Sequence, residues 1–151
     1  MSRTNTPNKT QMSKGKSQKS ISGSELGWEE AREVKNDIKH ILTVLDLPYI
    51  DASRIFCYRT YASKSRSYAR IWSMPKIFQH ALDIEPAYVI EVLAKHFDKL
   101  NDDEKKKVLI HELLHIPRNF SGALVPHRTR SRHLGSVAND LFREYQAKKN
   151  F

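Results

Sequence analysis

Asn101-Asp-Asp-Glu-Lys-Lys-Lys-Val-Leu-Ile-His-Glu-Leu-Leu-His-Ile-Pro117 is the stretch on which the fold and the chemistry of this chain turn. Asn101 followed three residues later by Glu104 is a capping-box pattern, and Asp102 and Asp103 fall in the first turn, where the helix dipole favours anions. The spacing predicts a helix running to about Ile116, which Pro117 cannot continue. A four-residue step on that helix puts His111 and His115 on one face, one turn apart, so both imidazoles can address a single metal ion. Zinc accepts imidazole nitrogen, and a catalytic zinc site leaves a position open for water. Glu112, beside the first ligand, is placed to act as general base for a zinc-bound water. Val108, Leu109, Ile110, Leu113 and Leu114 make the rest of the helix apolar, and polar groups buried among them need partners. Core hydrogen bonds would satisfy the histidines, but the pattern of two imidazoles and a carboxylate favours a metal.

Catalytic zinc takes a third protein ligand. His127, eleven residues beyond His115 and behind Pro117 and Gly122, is the candidate, because those residues can turn the chain back and Pro126 restricts the approach. His133 is its main rival, followed by Asp140 and Glu144 on the segment after it. His40, His80 and His96 lie without ligand spacing and read as surface or half-buried residues. Cys57 is the single cysteine, so no internal disulfide forms and no oxidising compartment is required. It reads as a small core residue. No Cys-x-x-Cys, phosphate-cradling glycine loop or Gly-x-Ser-x-Gly is present.

Working outward, Ser24 is a candidate cap for a helix to about Val44, with Leu26, Val34, Ile38, Ile41, Leu42 and Leu45 on one face and Leu47-Pro48 as its stop. Arg54–Tyr61 and Ser67–Trp72 read as strands around a polar turn at Ser63–Ser65. Lys76–Leu82 is a short helix opened by Met74-Pro75. Pro86–Leu93 reads as a third strand, with a helix starting at Pro86 as the rival. Arg132–Lys148 reads as a final amphipathic helix with Leu134, Val137, Leu141, Phe142 and Tyr145 inward. Strands and helices in this order give an α+β class.

The 151 residues carry a net charge of +9, distributed unevenly. Arg3, Lys9, Lys14, Lys16 and Lys19 stand in residues 1–21 without a single acid, in a setting of Ser, Thr, Asn and Gln. That composition cannot bury enough apolar surface to order itself and reads as a disordered basic tail, with residues 22–151 as the folded domain. Arg54, Arg59, Lys64, Arg66, Arg70 and Lys76 form a second basic cluster, interleaved with Tyr58, Tyr61, Tyr68 and Trp72. Such interleaving suits DNA or RNA, although it also describes strands with a polar outer face. No run approaches the roughly 18 apolar residues of a membrane span, and no apolar leader precedes the tail, so a cytoplasmic protein with no membrane contact is expected.

Residues 111–128, His-Glu-Leu-Leu-His-Ile-Pro-Arg-Asn-Phe-Ser-Gly-Ala-Leu-Val-Pro-His-Arg, together with Ala69–Phe78 and Tyr88–Val92, resemble the phage-type metallopeptidase family of prokaryotes and their viruses. The resemblance spans roughly residues 48–146. It implies a zincin-like fold: a small mixed β-sheet packed on an N-terminal helix and the active-site helix, with a C-terminal helix. It further implies zinc held by His111, His115 and His127, Glu112 as catalytic base, and a strand at Tyr88–Val92. The histidine after the motif lacks the six-residue spacing of metzincins, and no Met-turn is evident. SprT-type peptidases, which act on proteins attached to DNA, are a looser likeness that suits the basic charge. The expected function is a zinc metallopeptidase acting on a protein or peptide substrate. The alternatives are a nucleic-acid-binding module with a structural zinc, or a protease recruited to DNA through the tail and the arginine cluster.

Overall fold

The computed structural model describes residues 27–129 and 132–150. The basic tail and Ser24 and Leu26 lie outside them. Four strands form a mixed sheet in the order β1-β2-β4-β3: β1 (Gly27–Glu30), β2 (Ile55–Tyr61), β3 (Ala69–Trp72) and β4 (Tyr88–Leu93). β4 runs parallel to β2 and antiparallel to β3, while β1 is antiparallel to β2. The helices are α1 (Arg32–Val44), α2 (Lys76–Leu82), α3 (Ala94–Phe97), α4 (Asp102–Leu113) and α5 (Leu134–Lys148). A two-residue ribbon, β5 (Arg128–Thr129) and β6 (Arg132–His133), precedes α5. This is the α+β, zincin-like arrangement expected. Among the described residues no helix is long and apolar enough to cross a membrane.

Packing follows from alternation along the strands. Ile55 and Cys57 on β2, Tyr88, Ile90 and Val92 on β4, and Ala69 on β3 point to one side. There they meet Val34, Ile38 and Ile41 of α1, Leu109, Ile110 and Leu113 of α4, and Leu134, Ala138 and Tyr145 of α5 in one continuous core. Each fully buried Ile or Leu contributes about 1.5–3 kcal/mol against leaving it in water. Tyr88–Leu93 is half-buried or buried at every position, as a central strand requires, and it is a strand rather than the rival helix. It also inserts between β2 and β3, so these two do not pair with each other.

Several boundaries differ from expectation. Residues 27–30 form β1, and α1 starts only at Arg32. Pairing with β2, continued by the Ala31 amide on the Cys57 carbonyl at 2.9 Å, outweighs a helical turn that has no side-chain cap. α4 ends at Leu113 rather than Ile116. Its last turn tightens, the amides of His115 and Ile116 bonding back three residues to Glu112 and Leu113, because the residue before Pro117 is pushed out of the helical region. α5 begins at Leu134, two residues late, since Arg132 and His133 pair with β5. The short α3 carried no periodic signal.

Candidate metal centre

The capping box is formed in both directions: Asn101 Oδ1 accepts from the Glu104 amide at 2.8 Å, and Glu104 Oε2 accepts from the Asn101 amide at 3.0 Å. It fixes the start of α4, and burial of Leu109, Ile110 and Leu113 fixes its roll. His111 and His115 then share the face turned toward β3, with ring centroids 5.3 Å apart.

His127 reaches the same point from the loop after α4. The Val125 amide donates to the His115 carbonyl at 2.7 Å, and the Val125 carbonyl accepts from His115 Nδ1 at 2.6 Å. That reciprocal pair pins the loop beside the helix and holds the proton on Nδ1, which leaves Nε2 free to coordinate. The His127 ring lies 5.2 Å from His111 and 4.4 Å from His115. One donor nitrogen from each of the three falls within 4.8 Å of the others. Burial, reinforced by the neighbouring imidazoles, lowers the pKa of His111. His115 is lowered chiefly by burial, against the Val125 carbonyl. Neutral rings are the form that binds metal.

The rivals for the third position are elsewhere. His133 precedes α5 outside the cluster, Asp140 faces Arg143 at 3.8 Å, and Glu144 accepts from Lys148 at 2.7 Å.

Three residues hold the loop, of which the sequence singled out Gly122 alone, as a turn. Tyr88 Oη donates to the Ala123 carbonyl and accepts from the Gly122 amide, both at 2.8 Å. Gln79 Nε2 bridges the carbonyls of Met74 and Ser121 at 2.8 Å each. Gly122 has φ of +91°, and a Cβ there would fall 2.5 Å from the Met74 carbonyl oxygen. Its glycine was the one visible signal. Gly122→Ala is expected to cost about 2 kcal/mol or more through strain and collision, and to weaken metal binding by loosening His127; paired thermal melts with and without metal check both.

Glu112 is 9 % exposed, and burial pushes its pKa up to about 7, against the partial help of the Ile71 amide. No cation of the described residues pairs with it. It lines two adjoining hollows of about 530 and 430 Å³ that share Ser67, Ala69, Glu112 and His127 and follow β3, the sheet's edge strand. Because the raised pKa favours the protonated fold, this group's contribution is full below about pH 4.5 and is lost as pH rises through about 7. In metal-free protein Glu112→Gln, uncharged at all pH, should therefore gain about 3 kcal/mol over wild type well above pH 7 and nothing well below pH 4.5. Urea unfolding at the two extremes measures it.

A family model described as "Putative phage metallopeptidase" matches residues 26–143. The chain belongs to this family. No curated protein and no solved structure matches it at a significant level. Membership of the family implies a metal ion, and the donor chemistry fits one: three imidazoles suit zinc and leave a coordination position open.

Half of the basic cluster, by contrast, is used inside the fold. Arg59 pairs with Glu33 and with Asp98 at 3.0 Å. Arg54 donates to the Pro86 carbonyl at 3.1 Å and to that of Glu85, and Arg70 pairs with Glu91. Lys64, Arg66 and Lys76 are exposed.

Proposed function

We propose that this chain is a zinc-dependent metallopeptidase that hydrolyses peptide bonds, with Glu112 as general base. The observation that carries the reading is the convergence of three imidazoles beside a buried carboxylate with no cation partner among the described residues, on a cleft that follows the edge strand β3. His111, His115 and His127 would hold the ion. Bound there, zinc supplies Lewis acidity that polarises a carbonyl and acidifies water.

The remaining work falls to the chain itself. β3 offers the outer backbone groups that Glu112 does not take to an extended peptide, which adds as a strand and lays its scissile bond against the motif. Glu112, with a proton affinity raised toward neutrality, takes a proton from the attacking water on a carboxylate oxygen and returns it to the departing amine. The Ile71 amide, facing that carboxylate, keeps it oriented. A buried, unpaired Cys57 suits a reducing cytoplasm.

A purely structural zinc site would tend to close with four protein ligands, whereas the described cluster has three. The test is incubation of an unfolded protein substrate with the zinc-loaded chain. Discrete peptide fragments, arrested by a chelator and restored by zinc, support the reading; an intact substrate under all conditions overturns it.

A further inference from the structure

The sheet turns one face to α1, α4 and α5. On its other face, alternation places Trp28, Phe56, Tyr58, Arg70 and Trp72 around Glu91. Glu91 is 2 % exposed and sits at the centre of a hydrogen-bond knot. Trp28 Nε1 donates to its Oε2 at 2.7 Å and Thr60 Oγ1 to the same oxygen at 2.5 Å, while Trp72 Nε1 donates to Oε1 at 3.4 Å and Arg70 pairs with Oε1. Those donors hold its carboxyl below its ordinary pKa against the cost of burial. One carboxylate therefore pins two indoles by their edges, yet Trp28 stays 60 % and Trp72 51 % exposed. The Arg70 guanidinium lies 5.2 Å over the Trp72 ring and Phe56 is also exposed. Exposed rings tethered in this way have already lost part of the rotamer freedom that binding would otherwise cost, and Arg70 covers one face of Trp72.

We propose that this face is a binding platform for single-stranded nucleic acid, its bases stacking on Trp28 and Trp72. Aromatic side chains presented by a sheet stack unpaired bases whatever their sequence. Charge selects this occupant over an apolar protein surface. Gly27, where β1 begins, pairs with Tyr61, the last residue before the segment that carries Lys64 and Arg66. The chain as a whole carries a net charge of +9, complementary to phosphate. Among the described strand residues of this face the one exposed acid is Glu30, since Glu91 is buried and neutralised by Arg70. The phosphates would thus follow Lys64 and Arg66 while the bases lie on the indoles. Arg54 and Arg59 pair within the fold, and the platform does not depend on the metal centre.

The chain contains two tryptophans, both on this face, so intrinsic fluorescence reports on it alone. Titrating the full chain with oligothymidylate should quench that fluorescence saturably, with an affinity that falls as salt rises. Labelled oligothymidylate should bind Trp28→Ala and Trp72→Ala roughly tenfold or more weakly. Should either alanine variant fail to fold by circular dichroism, Phe and Leu replacements decide: Phe, which can stack, retains most of the affinity and Leu, which cannot, loses it. Absence of quenching at low salt overturns the proposal. So does an unchanged affinity when both rings are removed, a salt-independent dimer that buries the tryptophans, or quenching by an unfolded acidic polypeptide but not by oligothymidylate.

Discussion

Glu112→Gln should retain zinc and lose a hundred- to ten-thousandfold in kcat/KM, the range a positioned general base contributes. Gln has the shape of Glu, and its side-chain oxygen can still accept from the Ile71 amide, so the cleft is expected to keep its form. What disappears is the ability to take a proton. The loss should sit in kcat, because peptide alignment depends on the β3 edge. On the wild-type acidic limb, activity falls with decreasing pH as the carboxylate protonates. In metal-free protein that change is centred at about 7, and a neighbouring cation shifts it lower by favouring the charged form. Rate profiles alongside metal content separate this titration from metal loss. A Gln variant as fast as wild type would remove Glu112 from the chemistry.

His127→Ala should weaken zinc binding more than a hundredfold, beyond the ten- to hundredfold that loss of an outer-shell partner costs, while His133→Ala should stay within a few fold of wild type. The contrast rests on placement: the His127 ring lies 4.4 Å from that of His115, and His133 stands at the start of α5 outside the cluster. Competitive chelator titration reads both affinities, and elemental analysis reads the content of the purified proteins. Acid should release the metal from wild type, because protonated imidazole does not coordinate. Burial lowers the pKa of His111 and His115, so both remain competent further into acid than a free imidazole, and release follows only as pH falls through their depressed values.

What could be seen in advance was whatever the chain encodes locally. Asn101, Glu104 and the four-residue step from His111 to His115 lie within one helix and the tightened turn that closes it, and each acts over about one turn. The capping box and the shared histidine face follow directly. The strand at Tyr88–Leu93 was visible as an apolar β-branched run. Its place between β2 and β3 was not, since sheet order depends on which edges meet in space. Likewise, nothing local told residues 27–30 to abandon a helix. The reward is a ladder to residues 58–61 and an indole on Glu91, 63 positions away. The same blindness inflated the arginine cluster. Arg59 and Arg70 looked free in sequence because Asp98 and Glu91 stand 39 and 21 residues off. For the third imidazole the loop length permitted both His127 and His133. Only the Val125–His115 pair and the Tyr88, Gln79 and Gly122 anchors show which one swings inward.

X-ray absorption fine structure of the zinc-loaded chain addresses the heart of this account, one ion gathered by three rings. Three imidazole nitrogens at about 2.0–2.1 Å and one further light atom from solvent are the expected shell. A shell containing sulfur, only two imidazoles, or four protein donors would contradict it.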